Sequence, residues 1–217
     1  MEEIKAVIFD FDGVIAESVD VKTEAYATLF ESYGKDVVRQ VVDYHLRNGG
    51  VSRFDKIRYY YKNILREPLS ENKLGELCNR FSDIVVDKVV NSPFVPGAKE
   101  FLKKYYQIYK FFLVSGTPQD EMQMIVKRKR LEKFFEEVLG SPREKTELTK
   151  EIISQNGFDI TQVVFVGDAI TDYEAAYNTG VRFIGRVPQG QRSPFPENTL
   201  VVQNLFNLEN ILKKLQI

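Results

Sequence analysis

Ile4-Lys5-Ala6-Val7-Ile8-Phe9-Asp10-Phe11-Asp12-Gly13 is the stretch that decides the fold of this chain. A run of β-forming residues passes directly into an Asp-x-Asp-Gly turn, the pattern of a buried strand that ends in a loop. Residues two apart share a face of a strand, so Asp10 and Asp12 can aim both carboxylates into one space beyond the strand's carboxyl end. Two like charges brought together call for a cation, or for a proton on one of them. The plainer alternative for the same residues is a solvated Asx turn with Gly13 at positive φ.

Similar short apolar runs recur at Phe111 to Val114, Val163 to Val166, Val181 to Ile184 and Leu200 to Val202, with a weaker one around Val138. Helical patterns lie between them at Gly97 to Tyr106, Gln119 to Phe135, Glu147 to Gln155 and Asp172 to Thr179. This alternation predicts an α/β fold, a Rossmann-like parallel sheet covered by helices on both faces, with ligands at the carboxyl ends of the strands. About a hundred residues separate the first strand from the one at Phe111, far more than one crossover helix needs.

That interval reads as helices throughout. Ser18 is placed to cap a helix ending at Gly34, His45 falls on the apolar face of a second helix, Ser52 and Asp55 open a third, and the longest stripe runs from Ser70 to Asn91. The expected organisation is an α/β core formed by residues 1–16 and 93–217, with an all-helical cap inserted at 17–92. The linkers fall near Ala16 and at Pro93 to Pro96.

With 217 residues the chain can remove about 70% of its unfolded surface from water, so its core needs no covalent or metal staple. One cysteine, Cys78, excludes an internal disulfide and a cysteine-based zinc site. Lys and Arg number 30 against 31 Asp and Glu, a net charge of −1, and offer no global field for nucleic acid or an anionic membrane. The acidic start lacks the positive charge of a signal peptide, and no apolar stretch reaches the roughly 20 residues of a membrane span. The expectation is a soluble cytoplasmic protein without nucleic-acid or membrane partners.

Three further turns carry chemistry. Ser115-Gly116-Thr117-Pro118 follows a strand and opens a helix, with Thr117 as cap and Pro118 at the first helical position, an arrangement that suits an anion or an ordinary βα turn. Ser141-Pro142-Arg143-Glu144 reads as a capping box, and Lys145 in the first helical turn opposes the helix dipole, which a bound anion would justify. Val163 to Gly167 leads to Asp168, an oxygen ligand for a hard cation such as Mg²⁺. Asp172 follows in a helix that Thr171 opens, near enough to support it.

Asp10-Phe11-Asp12-Gly13-Val14, Ser115, Lys145 and Gly167-Asp168-Ala169-Ile170-Thr171-Asp172, in that order, resemble the four motifs of the haloacid dehalogenase superfamily. The likeness spans almost the whole chain. Val95-Pro96-Gly97-Ala98 resembles the return from an inserted cap, and the helical insert is similar to that of the phosphoglycolate phosphatase and β-phosphoglucomutase branch. The resemblance implies a phosphatase acting on a small phosphorylated metabolite. Asp10 would be the nucleophile and Asp12 the general acid and base, with Mg²⁺ held by Asp10, the Asp12 main-chain carbonyl, Asp168 and Asp172. Ser115, Gly116 and Lys145 would grip the phosphate. An acid at Asp12 speaks against dehalogenase and phosphonatase chemistry.

Gly49-Gly50-Val51-Ser52-Arg53 resembles the cap loop in which an arginine of β-phosphoglucomutase holds a second phosphate, so Arg53 is the candidate for substrate recognition. The alternative for Arg53, Lys56 and Arg58 is an exposed helix face. Lys22 stands where that mutase carries a histidine, which makes a sugar phosphomutase the second reading. A signalling receiver module shares the acidic site but has neither the insert nor a need for Asp12. His45 and Cys78 read as packing residues, Lys127 to Arg130 as a solvated helix end, and Tyr59 to Tyr61 as divided between cap core and cleft.

Overall fold

The computed structural model describes residues 3–215. Six strands form one parallel sheet: β1 (Ala6–Phe9), β2 (Lys110–Pro118), β3 (Glu137–Ser141), β4 (Val163–Gly167), β5 (Arg182–Arg186) and β6 (Val201–Val202), in the order β3-β2-β1-β4-β5-β6. β1 is central, in register with β2 from Ala6 opposite Lys110 and with β4 from Ala6 opposite Val163. The chain leaves β1 toward β2 and β3, then crosses to β4 on the other side. Such a reversal opens a crevice beyond the carboxyl ends of the strands.

The two-residue period of β1 sorts its side chains between two cores. Val7 and Phe9 join Phe101 and Leu102 of α5 (Ala98–Tyr105), Met122 of α6 (Gln119–Arg128) and Leu208 and Leu212 of α9 (Leu208–Lys214). Ala6 and Ile8 meet Leu148 and Ile152 of α7 (Lys145–Asn156) and Ala175 and Ala176 of α8 (Ile170–Thr179) on the opposite face. Phe9 packs edge-on to Phe101 and Phe111 at centroid distances of 6.1 and 5.4 Å. Buried fully, each such ring contributes roughly 1.5–3 kcal/mol by transfer from water.

Between β1 and α5 lie α1 (Val19–Leu29), α2 (Lys35–Arg47), α3 (Arg53–Tyr59) and α4 (Glu71–Asn91), the helical cap. Ser52 and Ser70 cap α3 and α4 as their sequence predicts, accepting from the amides of Asp55 and Lys73. The two connections to the core lie side by side, where the Glu17 amide donates to Pro93 O and the Val95 amide to Ile15 O. Lys129 stabilises this junction by donating to the carbonyls of Val90 and Ser92 at 3.0 and 2.8 Å. The expected solvated helix end is therefore partly a brace for the last turn of α4.

Local boundaries differ where a tertiary partner takes a side chain. Ser18 makes no cap bond, because its hydroxyl donates to Asp12. Thr117 and Pro118 extend β2 and α6 starts at Gln119, whose side chain bridges to Val138 O and the Gly140 amide. α6 stops at Arg128, with Arg130 at φ 58° and a separate turn at Glu132–Phe134, so Gln119 to Phe135 is not one helix. The Ser141 to Glu144 capping box does not form, and α7 starts at Lys145 with no side-chain cap. α8 begins at Ile170, ahead of Thr171, whose hydroxyl donates to Gly49 O in the cap. Among the described residues no helix is long and apolar enough to cross a membrane.

Candidate active site

Asp10 follows the last residue of β1, and its amide continues the sheet ladder by donating to Val166 O of β4. Asp168 follows β4. The two acids therefore stand on adjacent strand ends at the crevice. Gly13 turns the chain between them at φ +75°, and a Cβ there would lie 2.1 Å from Asp168 Oδ2, so the close approach of loop to carboxylate requires glycine. Arg186 secures the same loop, donating to Gly13 O at 3.1 Å while paired with Glu17.

Lys145, at the start of α7, reaches both Asp10 Oδ1 at 2.9 Å and Asp172 Oδ1 at 2.6 Å. The other Asp172 oxygen accepts from the Ala169 amide. Carboxylate oxygens of Asp10, Asp168 and Asp172 all lie within 4.8 Å of one another. Burial pushes the Asp10 carboxyl up to about 7 against the pull of Lys145, with Asp172 and Asp12 adding to the rise. Asp168 is raised well above the usual carboxylate range, by burial and then by Asp10 and Asp172. Burial works against the Lys145 charge, yet Asp10 and Asp172 raise its pKa. Three acids served by one ammonium retain a deficit of positive charge, and an all-oxygen donor set of this kind fits a hard divalent cation.

Asp12 lies apart from that cluster. Its side chain accepts from Ser18 at 2.6 Å and from Lys22 at 2.5 Å, and Lys22 also donates to the Thr117 hydroxyl at 2.7 Å. Burial alone would raise the Asp12 carboxyl, but the charge and hydrogen bond of Lys22, with the bond from Ser18, hold it below its ordinary value. Its expected place among the metal ligands rests on its main-chain carbonyl.

A cavity of about 390 Å³ opens above these residues, bordered on the core side by Asp10, Asp12, Asp168, Gly116 and Thr117. The predicted site residues thus converge, in two layers. Lys145 and Asp172 stand behind Asp10, and Ser115, 1% exposed, accepts from the Thr117 amide through its hydroxyl oxygen. The cap closes the cavity from above. A Cβ at Gly116 would meet Gly50 O at 2.3 Å, so the core turn and the cap loop are in direct contact.

Arg53 departs from expectation. It borders the cavity, but its planar fork is occupied by Glu121 of α6, with Nη1 to Oε2 at 2.9 Å and Nη2 to Oε1 at 2.5 Å. Nη1 also donates to Ser82 Oγ and Cys78 O. A buried carboxylate 68 positions away satisfies the guanidinium that the sequence assigns to a substrate. Arg58 lies on the exposed side, paired with Glu71. Tyr60 and Tyr61 are buried in the cap, Tyr59 stacks on Tyr44, and none of the three borders the cavity.

Sequence reasoning named Lys22, Lys56 and His45 but not their contacts at the cavity, and it missed Glu121. Ser18 and Lys22 are four apart, hence on one helical face toward Asp12, and Arg53 and Lys56 share a face in the same way. That spacing was the available signal. Cys78 packs as expected, whereas His45 accepts or shares a hydrogen bond with Lys56 on the cavity wall.

Residues 7–186 match the model of the haloacid dehalogenase-like hydrolase family. A phosphorylated carbohydrates phosphatase from Thermotoga maritima is 27% identical over 83% of this chain and 84% of its own. A phosphoglycolate phosphatase from Aliivibrio fischeri is 24% identical over 82% of each. The β-phosphoglucomutase of Clostridium difficile shares the fold with a TM-score of 0.80 at 18% identity, covering 98% of this chain and 97% of its own. With acids, lysine and small-residue turn placed at the strand ends that its ordered motifs predict, the chain belongs to the haloacid dehalogenase-like hydrolase family, as a phosphatase.

Proposed function

We propose that this enzyme hydrolyses a small phosphate monoester by way of a phosphoryl group carried on Asp10. The observation that carries the reading is the grouping of Asp10, Asp168 and Asp172 around Lys145 on the floor of a capped cavity that Asp12 also borders. Asp10, Asp168, Asp172 and the Asp12 carbonyl are the oxygens that would hold Mg²⁺, which when bound would supply the positive charge a phosphate dianion needs beside a carboxylate. An Asp10 carboxylate oxygen forms a bond to phosphorus as the ester P–O bond breaks, and Asp12 gives its proton to the departing alkoxide. Asp12 then takes a proton from water, whose oxygen bonds to phosphorus as the Asp10 P–O bond breaks, releasing inorganic phosphate.

Lys22, and not the histidine of the mutase resemblance, holds Asp12, which favours hydrolysis over the mutase alternative. Its contact keeps Asp12 as the carboxylate, the form that activates water, and substrate binding must loosen that contact for Asp12 to arrive protonated. The Gly116 amide, the Ser115 hydroxyl and Lys145 would bear the oxygens of a phosphate at Asp10. The closed cap excludes bulk water from the first step.

Purified protein assayed with Mg²⁺ against a panel of phosphate esters should release inorganic phosphate, and Asp12→Asn should accumulate a phosphoryl adduct on Asp10 detectable by intact mass. Turnover undiminished in Asp10→Asn would remove the nucleophile assignment.

A further inference from the structure

Arg186 ends β5 and is 5% exposed, a buried cation that no step at Asp10 employs. Burying a guanidinium is costly unless its donors find partners, and here the partners come from three separate segments of the chain. Nη1 donates to Gly13 O at 3.1 Å and to Glu17 Oε2 at 3.0 Å, Nη2 to Glu17 Oε1 at 2.6 Å, and Nε to Gln203 O at 3.2 Å. The grip on Glu17 is bidentate, so it sets the plane of the guanidinium and with it the line of the bond to Gly13. β1, β4 and β5 are neighbours in the sheet, and at their carboxyl ends they present Asp10, Asp168 and Arg186 to one cavity.

The Gly13 carbonyl matters because of what that residue does on its other sides. Its amide donates to Ala16 O at 2.7 Å. The Asp12–Gly13 peptide is trans, so its N–H and C=O point opposite ways, and pinning the Gly13 N–H also fixes the direction of the Asp12 carbonyl. Gly13 also presses on Asp168, whose Oδ2 would lie 2.1 Å from a Cβ at that position. The residue is thus held between Arg186 and Asp168. At φ +75° it has the conformational freedom of a glycine, and a partner outside the turn is what restrains it.

We propose that Arg186 is a positioning residue, holding the Asp12–Gly13 turn so that the Asp12 carbonyl serves as a cation ligand beside Asp10 and Asp168. This rests on the metal reading of that site. Four of the five guanidinium N–H groups are committed to Gly13, Glu17 and Gln203, so Arg186 acts through the turn rather than on the substrate. Loss of an outer partner that orients a ligand costs about 10- to 100-fold in metal affinity.

The test is a Mg²⁺ titration of the purified protein, read by calorimetry and by the thermal unfolding midpoint, for wild type, Arg186→Met and Arg186→Lys. Arg186→Met should bind Mg²⁺ about 10- to 100-fold more weakly, and its kcat on a phosphate ester should return close to that of wild type once Mg²⁺ is saturating, with KM for the ester little changed. Arg186→Lys keeps the charge without the planar fork and should recover part of the affinity. A folded Arg186→Met that melts earlier yet binds Mg²⁺ as wild type does would make the residue purely structural and overturn the proposal. Should that variant not fold, Glu17→Gln is the milder change, at a side chain 36% exposed, and loosens the same fork. It should weaken Mg²⁺ binding severalfold, and equal binding refutes the proposal. Should the wild type bind no Mg²⁺, the metal reading fails separately. Amide hydrogen exchange over residues 11–16 then decides: faster exchange in the variant, with β4 unchanged, sustains the hold on the turn, and equal exchange refutes it.

Discussion

Removing Glu121 should loosen the cap from the core more than any other single carboxylate change outside the active site. The Arg53 and Glu121 side chains are 4% and 7% exposed and meet through two hydrogen bonds, both joining a cap helix to a core helix. Glu121→Ala leaves a buried guanidinium with only Ser82 Oγ and Cys78 O, and breaking a buried pair in this way costs about 3–5 kcal/mol. Replacing both partners by apolar groups, as in Arg53→Met with Glu121→Leu, removes the two desolvation penalties together and should cost far less than the sum of the single changes. Urea unfolding of wild type, Arg53→Met, Glu121→Leu and the double variant measures the coupling directly, expected at about 2–5 kcal/mol. A coupling below about 1 kcal/mol, the value of an exposed pair, would refute the view that this contact closes the cap against the core.

Asp10→Asn should abolish phosphate release while leaving the thermal unfolding midpoint within a few degrees of wild type or higher, because it relieves repulsion among three acids; a large loss of stability would mean that Asp10 is structural. Excess chelator should remove activity and Mg²⁺ should restore it, and Mg²⁺ should also raise the unfolding midpoint of the wild type but not of Asp168→Ala; a midpoint indifferent to Mg²⁺ in both would argue against the carboxylate site. Lys56→Met should be more stable than wild type by a few kcal/mol below about pH 7. The folded amine titrates near 7 and the unfolded one at 10.5, so the penalty is full below 7 and fades as pH climbs toward 10.5. Unfolding curves at pH 6 and pH 10 check the sign, and a gap that widens with pH would contradict it.

The sheet was legible because its strands are self-announcing. Val163 to Gly167 is buried at every position and reads as an unbroken apolar run, while the order β3-β2-β1-β4-β5-β6 is a finding of the structure that crossover handedness alone does not fix. The floor of the site was legible for the same reason: Asp10, Asp168 and Lys145 are each placed within a residue or two of a strand end or helix start, so local pattern alone brings them to one edge. Helix starts were less legible. Ser18, Thr117 and Thr171 all look like caps, yet Asp12 takes the Ser18 hydroxyl six residues away, and the Thr117 and Thr171 hydroxyls are engaged across the molecule by Lys22 and Gly49, partners that leave no trace in the adjacent sequence.

The cap side of the site was illegible in a more specific way. Whether Arg53 or Lys56 faces a ligand is decided by which of them finds a carboxylate, and the one available, Glu121, lies in the first turn of a core helix where an acid is equally explained by the helix dipole. In sequence the two cations are equivalent members of one helical face. In the folded chain Glu121 reaches Arg53 with both oxygens and leaves Lys56 to His45, so a single residue outside the cap divides the face into one internal clamp and one amine without a carboxylate. Glu121→Gln should therefore weaken the hold on Arg53 and free its guanidinium toward the cavity it borders. Its expected mark is a lower KM for a phosphate ester that carries a second acidic group, together with a lower unfolding midpoint. An unchanged KM together with an unchanged midpoint would show that Glu121 does not govern which cation is free.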